Sequence, residues 1–517
     1  MFSLKLRCFI YLNNKKVKKE SNVEIQQIID QYGDKLNSNI QEAAIILAAG
    51  HGKRIKSNIS KMLHKIWGEP TAVRVHKAAA EGLENPNIVM VVGIKAEDVI
   101  KTIGKKSQTT FAYQEFQNGT GDAVRVGMEP LKKINFNGDV YIFPGDMGLL
   151  DKDTVKKFRQ DFKNLNCDML VMTGIYEGDY RKNYYGRIIR VPQKDKFGND
   201  SGDDLGSVIE IMEQKDILNL SDDRPYEVTY KGKIYSFTKD ELLRINEFNA
   251  GVYAVKFKPL SEHINKITSD NVQGEIYITD LISIFNKNGL KVKAVSPDDQ
   301  SVVLGFNVKS VLKEMEAIAR AKAYDKLKDI IEIDDPDDFF IADEVIEQIL
   351  EMDKKGIPLD IRIGKGVYIG KNVKLNYGVE LKKNVYVDGN VIFGKNVKVW
   401  ENALLSTFPH QQFIIGDNVE ILWGDIIKGN IVIGENSRIE SSVNMTGSDE
   451  FPLRIGKNVL IKGTSYLFGT IVEDDVHIEH SILIKKKVER VLKKDGTVRA
   501  VRFYLPMPEG VDSVTDL

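Results

Sequence analysis

Leu47-Ala48-Ala49-Gly50-His51-Gly52-Lys53-Arg54 follows directly on the apolar run at 43–46. The run reads as a buried strand that opens into a glycine turn ending in cations. Gly50 and Gly52 can adopt backbone angles closed to other residues, so the main chain can approach a ligand closely. Successive N–H groups in such a turn form a concave anion site, and a helix N-terminus behind it adds positive potential. Arg54 offers a planar, permanently charged donor to a phosphate. A little further on, Ser60-Lys61-Met62-Leu63-His64-Lys65-Ile66-Trp67-Gly68-Glu69-Pro70 supplies a second cation, Lys61, and a second turn.

Outward from this turn, strands and helices alternate. The pattern predicts strands at 44–48, 88–92, 140–143 and 169–173, and helices at 71–83, 97–103 and 153–165. This rhythm implies an α/β domain over 43–307 with a mainly parallel sheet. Ligands in such folds sit beyond the carboxyl ends of the strands, where the glycine turn lies. Two polar stretches, 193–206 and 221–244, read as surface insertions, the second with a hairpin about Lys231-Gly232. Residues 1–42 read as a polar leader with a lysine cluster at 15–19 and a short helix within 23–36 that packs rather than reacts. Residues 308–356 read as a helical connector interrupted at 334–338.

The last third carries an internal repeat. Ile361, Val367, Val373, Val379, Val385, Val391, Val397 and Ala403 stand six apart, and Ile363, Ile369, Leu375, Leu381, Val387, Phe393, Val399 and Leu405 repeat the period two positions later. Breaks at 406–412 and 446–451 interrupt it. The period resumes at Phe413, Val419, Ile431, Ser437 and Val443, then at Leu453, Val459, Ser465 and Ile471. Six-residue spacing of small aliphatic positions is the pattern of a hexapeptide parallel β-helix, in which each short strand shares one interior with its stacked neighbours. The β-helix is expected over 357–484, and 485–517 reads as a closing hairpin about Asp495-Gly496 with a basic tail.

Bulk properties narrow the class. The chain has 517 residues, enough for two or three domains. Its 73 basic and 74 acidic residues nearly cancel, so no net charge points to nucleic acid or to a charged membrane surface. Two cysteines, Cys8 and Cys167, cannot build a disulfide framework. The apolar stretch at 8–12 is too short to span a bilayer. A cytoplasmic protein is expected.

The paired motifs Leu-Ala-Ala-Gly-x-Gly-x-Arg and Lys-x-Leu-His-x-Ile-x-Gly-x-Pro resemble those of the bacterial N-acetylglucosamine-1-phosphate uridyltransferases, which make UDP-N-acetylglucosamine. Related sugar nucleotidyltransferases share the first motif but differ where this chain has Leu63-His64-Lys65-Ile66. The resemblance implies a Rossmann-like nucleotidyltransferase domain followed by an all-β, left-handed parallel β-helix that assembles as a homotrimer. It also implies the reaction. A sugar-1-phosphate oxygen attacks the α-phosphorus of UTP and pyrophosphate leaves, with Mg2+ on the phosphates. Arg54 and Lys61 are then the catalytic cations. Leu47, Ala48, Ala49, Gly50, Gly52 and Lys61 would cradle the triphosphate, while Gln114, Gly119 and Thr120, in Gln114-Glu115-Phe116-Gln117-Asn118-Gly119-Thr120-Gly121, would read the nucleoside. Asp146, in Phe143-Pro144-Gly145-Asp146, and Asn271, in Asn271-Val272-Gln273-Gly274-Glu275-Ile276-Tyr277-Ile278-Thr279-Asp280, would be the metal ligands. Gly186 in Tyr185-Gly186-Arg187-Ile188, Glu213 in Glu213-Gln214-Lys215-Asp216, and Asn249 in Glu247-Phe248-Asn249-Ala250-Gly251 would hold the sugar.

The chain departs from that pattern in two places. Pro144 stands where relatives have a tyrosine lining the sugar pocket, and Gly148 stands where they have proline. The β-helix lacks the Leu-Thr-Tyr-Leu-Gly-Asp and Asn-Tyr-Asp-Gly stretches of bifunctional relatives that also acetylate glucosamine-1-phosphate. His410, in the first repeat break, is the remaining candidate base there. Three readings result: a uridylyltransferase with a non-catalytic β-helix, a bifunctional enzyme with a diverged acetyltransferase site, and a regulatory or scaffold protein without catalysis.

Overall fold

The structure is a computed structural model that describes residues 23–50 and 52–503, with the Lys53 side chain excepted. The lysine cluster at 15–19, Cys8, His51 and the end of the basic tail lie outside the described residues. The chain divides into two compact units, 1–315 and 316–517. It passes from one to the other within the helix Lys309–Leu327.

The first unit is built on a twisted sheet. Its strands run in the order Val292–Val295, Met169–Ile175, Glu247–Lys256, Asp139–Pro144, Glu42–Ala48, Asn87–Val92, Thr109–Tyr113. Along this path only Glu247–Lys256 is antiparallel to its neighbours. Alternate residues of Glu42–Ala48 point to opposite faces. Ala44, Ile46 and Ala48 enter one apolar core, Ala43 and Ile45 the other. Both faces are therefore covered by helices, which is why this strand and Asn87–Val92 read as unbroken apolar runs.

The expected leader contributes a helix over 23–32. Its Ile29 is buried, and Ile25, Ile28 and Tyr32 lie on the same core. The expected hairpin is present: Tyr226–Tyr230 pairs antiparallel with Lys233–Phe237 across Lys231-Gly232. The second insertion does more than decorate the surface. With Ile189, Val191 and Ile209 from the neighbouring sheet and Ile217 and Leu242 from two short helices, Tyr230 and Tyr235 form a small core of their own.

The second unit is a parallel β-helix of three sheets, with eight, eight and six strands. It is the left-handed hexapeptide type. Position by position, Ile363 pairs with Leu381, then Val399, Ile421, Ile439, Ile461 and Ile478. A full coil is three hexapeptides, and the two breaks lengthen the coils that contain them. Corner asparagines adopt left-handed backbone angles, and Asn396, Asn418 and Asn436 hydrogen bond in a ladder. Ser437 and Ser465, expected inward, are buried.

Two expectations need correction. Ile471 is half exposed, and Thr470 and Val472 point inward instead. At a regular corner Ile427 is followed inward by Ile431, four positions on; here Leu467 is followed by Thr470, three positions on, so the corner at Phe468-Gly469 is one residue shorter and the register shifts by one. Such a slip exchanges inner and outer faces. The second correction concerns the connector. Its middle is not a break between helices but the start of the β-helix: Glu332–Ile333 and Phe339–Ile341 pair with Arg362–Ile363 and Val367–Ile369.

Both ends of the β-helix are closed. At the start, the amide of Gln348, on the helix Asp343–Asp353, donates to Leu375 O and accepts from Leu375 N. At the far end, Val501 N donates to His477 O at 2.7 Å, and Glu479 N donates to Val501 O at 2.8 Å. The return arm of the closing hairpin thus occupies an edge that would otherwise template association.

Candidate active site

The glycine turn works by close approach. Gly52 has φ 57°, and a β-carbon on it would stand 2.8 Å from Lys61 Cβ. Without that carbon the turn folds back onto the segment carrying Lys61 and seats the lysine stem in the protein. Lys61 is buried, and its Nζ donates to Asp146 Oδ2 at 2.5 Å and to Asn307 Oδ1 at 2.9 Å. The Phe306 ring lies under the ammonium, 5.4 Å from Nζ to centroid. Gly145 N donates to Leu47 O at 2.9 Å, which ties the Asp146 turn to the end of the central strand. Ala48 and Ala49 are buried, Gly50 is exposed, and Arg54 is exposed on the short 3-10 turn Lys53–Ile55.

Asn307 was invisible to motif reading. It follows Gly305-Phe306 at the end of the first unit, and a β-carbon on Gly305 would sit 3.3 Å from Asp146 Oδ2. A small residue beside an amide was the only local signal. Asn271, expected beside Asp146, is turned inward on its own loop. Its Nδ2 donates to Glu275 O at 2.6 Å, and its Oδ1 accepts from Gln273 N and Glu275 N, each at 3.2 Å. The loop that carries it leans on the segment 213–216, with Val272 N donating to Asp216 Oδ1.

The motif at 114–121 is a second close approach. Gly119 has φ 116°, and a β-carbon there would meet Ile276 O at 2.5 Å. Asn118 O accepts from Ile276 N, Gly121 N donates to Ile276 O, and Thr120 Oγ1 accepts from Ile278 N. The segment 271–280 therefore supports the loop that opens the helix Thr120–Lys133. Gln114 is buried at the end of its strand and donates through Nε2 to Asp122 Oδ2 at 2.9 Å.

Gly186, Glu213 and Asn249 are brought together. Asn249 N donates to Gly186 O at 2.9 Å, and a β-carbon on Gly186 would lie 3.0 Å from Glu213 Oε1. Asn249 Nδ2 donates to the Tyr253 hydroxyl at 2.7 Å. Burial, and then repulsion from Asp216 and Asp280, pushes the Glu213 carboxyl up to about 7, with Arg187 opposing. Burial and the charge of Asp216 push Asp280 up to about 6. Arg187 is fully buried; its guanidinium donates to Tyr185 O and to Asn183 O.

The Gly186–Glu213–Asn249 group adjoins the Asp146 turn. A β-carbon on Gly251 would lie 3.1 Å from Pro144, two residues before Asp146. Tyr185 stacks on Phe248 with centroids 4.3 Å apart. Its phenol is raised by burial and then by the nearby Asp146 charge. Gly148 is fixed by packing, since a β-carbon there would meet Ile66 and Thr71 at 2.8 Å.

No group of three or more His, Cys, Asp or Glu side chains among the described residues could hold a metal by itself. A carboxylate and an amide oxygen do converge on one cation, the Lys61 ammonium. That donor set suits a hard divalent ion that takes its remaining ligands from phosphate and water. In the β-helix, His410 Nε2 and Asp449 Oδ2 are 2.7 Å apart, which links the two repeat-break loops at an exposed site.

Residues 44–184 match the MobA-like NTP transferase domain, and residues 360–395 and 452–480 match the hexapeptide repeat of succinyl-transferase. The bifunctional protein GlmU of Caldicellulosiruptor saccharolyticus is 34% identical over 263 residues, 51% of this chain and 48% of that protein. The GlmU of Caldanaerobacter subterraneus subsp. tengcongensis is 32% identical over 303 residues, 58% of this chain and 57% of that protein. These matches span only about half the length of the relatives. A solved UDP-glucose pyrophosphorylase complexed with UDP-glucose aligns with a TM-score of 0.39 at 14% identity, over 54% of this chain and 99% of that one.

Proposed function

We infer, for a chain that belongs with the GlmU proteins by sequence and by its union of an NTP-transferase domain with hexapeptide repeats, that it transfers a uridylyl group from UTP to N-acetylglucosamine-1-phosphate. Pyrophosphate is the second product. The observation that carries the reading is the convergence of Lys61, Asp146 and Asn307 beside the glycine turn.

Both reactants are anionic, so the protein must neutralise charge and align an in-line displacement. The N–H groups of the glycine turn take phosphate oxygens, and Arg54 and Lys61 supply cationic donors. Asp146 and Asn307 present oxygens to a divalent ion, with Mg2+ the natural choice. When bound, such an ion offsets phosphate charge as a Lewis acid. Asn271 instead shapes the loop that braces Gly119 and Thr120 against the nucleoside. Gln114, anchored by Asp122, keeps its carbonyl oxygen for the base. Glu213 and Asn249 bind sugar hydroxyls and the acetamido group, and a carboxyl near neutrality can donate or accept there.

Two outer faces of the β-helix support self-association. On one, Phe340, Tyr368 and Tyr386 stack at 4.6 and 4.7 Å and continue through Leu404 and Ile426. On another, Ile392, Ile414 and Val432 align. The remaining face alternates Glu332, Arg362, Glu380, Lys398, Glu420 and Arg438. Two different apolar faces fit a heterologous contact that closes as a ring, and a trimer is the proposed form. The His410–Asp449 pair favours a second reading in which the β-helix also transfers an acyl group; thiol release from acetyl-CoA with glucosamine-1-phosphate tests it.

The deciding experiment is a pyrophosphate-release panel of UTP and the other nucleoside triphosphates crossed with several sugar-1-phosphates. Fastest release is expected with UTP and N-acetylglucosamine-1-phosphate. Silence across the whole panel, with folded protein and Mg2+ present, overturns the reading.

A further inference from the structure

The two oxygens offered to a divalent ion are already engaged. One ammonium, Lys61 Nζ, stands 2.5 Å from Asp146 Oδ2 and 2.9 Å from Asn307 Oδ1. A magnesium-sized ion on those oxygens would lie about 2.0–2.1 Å from each. That position falls within the volume the ammonium fills, and two cations at contact repel. Lys61 and the divalent ion therefore exclude one another. The contact is also releasable. The lysine stem is fixed near its base, where Gly52 lies against Lys61 Cβ. The charge sits at the end of four flexible carbons and pairs as a point charge, without the rigid fork of an arginine. Gly50, in the same turn, is exposed to solvent.

We propose that Lys61 keeps the Asp146–Asn307 pair closed to divalent cations until an anion draws its ammonium away, so that the metal enters after the triphosphate. The identity of the anion rests on the nucleotidyltransferase reading; the exclusion of metal by Lys61 does not. Linkage makes the effect reciprocal: metal on the pair expels Lys61, and an anion on Lys61 opens the pair.

The test is Mn2+ binding to the full chain without nucleotide, followed by calorimetry and by the spin-resonance signal of free Mn2+. Lys61→Met is expected to bind one ion about tenfold or more tightly than the unaltered protein. Asp146→Asn in that background should abolish the gain. Arg54→Met, which removes a positive charge outside the pair, should stay within about twofold, as screening predicts. Equal Mn2+ affinity for the unaltered protein and Lys61→Met overturns the proposal, as does a gain from Arg54→Met as large as that from Lys61→Met. Should Lys61→Met fail to fold, amine labelling of Lys61 in the unaltered protein, read by mass spectrometry, decides. Labelling should rise with Mn2+ and return with chelator; no change at saturating Mn2+ overturns the proposal. UTP titration in chelator, and again with Mg2+, separates the two claims. Absence of UTP binding both in chelator and with Mg2+, together with a tightened Lys61→Met site, sinks the uridylyl reading and upholds the exclusion. Normal UTP binding with equal Mn2+ affinities does the opposite. UTP binding that appears only with Mg2+ overturns the proposed order of entry.

Discussion

Lys61 and Asp146 lie 85 positions apart, and Lys61 and Asn307 lie 246 apart, yet they share one ammonium. Asp146→Asn keeps an acceptor for Lys61 and removes the carboxylate charge. Turnover in the pyrophosphate assay should fall at least about a hundredfold, with the melting temperature little changed. A second residue makes a stability claim. Asp425 is fully buried where the adjacent coils have Ala403 and Val443. Its Oδ1 accepts from Val443 N at 2.8 Å, and its Oδ2 has no partner. Burial pushes the carboxyl from 3.8 up to about 8. The folded state therefore binds the proton more tightly than the unfolded one. Its contribution to stability is full below about pH 4 and is lost as pH rises toward 8, by at most about 1.4 kcal/mol per pH unit. Asp425→Asn keeps the acceptor and cannot titrate. Urea melts should show the unaltered protein losing stability between pH 5 and about 8, and the variant should be flatter and more stable at the alkaline end.

At the scale of elements, the candidate site is built from segments laid closely against one another. The Gly119 loop and the stretch 276–278 exchange three hydrogen bonds. Gly119→Ala would force a β-carbon to within 2.5 Å of Ile276 O and strain a φ of 116°. About 1–3 kcal/mol of stability should be lost. Because the two segments would part at the nucleoside side, UTP affinity by calorimetry should fall while Mn2+ binding by Lys61→Met persists. Retained UTP affinity in Gly119→Ala would show that this loop does not touch the nucleotide. The β-helix shows the complementary rule. Its interior positions obey a local six-residue period until one corner shortens, and Ile471 then turns outward. Nothing in the side chains of that coil announces the shortening, because Phe468-Gly469-Thr470 is as good a corner as Asp388-Gly389-Asn390.

For the whole molecule, the proposed assembly depends on outward apolar columns rather than on net charge, which is only -1. Ile414 sits in the middle of one such column, between Ile392 and Val432. Ile414→Glu places a charge where a neighbouring copy would have to desolvate it. Sedimentation equilibrium should show the proposed trimer giving way to smaller species, while pyrophosphate release per chain is retained. A species of unchanged mass would remove that face from the contact. No helix among the described residues is long and apolar enough to cross a membrane.

By itself the sequence determined the features that repeat or that lie within one turn. The glycine turn, the α/β alternation and the hexapeptide period are each carried by residues a few positions apart, where spacing alone decides which face a side chain takes. Local motifs also marked Gly186, Glu213 and Asn249, which the fold brings together. Only the tertiary structure decided which oxygens meet the Lys61 ammonium. Asn271 carries the better motif, but its amide is consumed within its own turn, and Asn307 arrives from the far end of the domain through a gap left by Gly305. Pairings of that kind are set by which strand ends the sheet order brings side by side, and that order is a property of the packed chain, written in no single stretch of it.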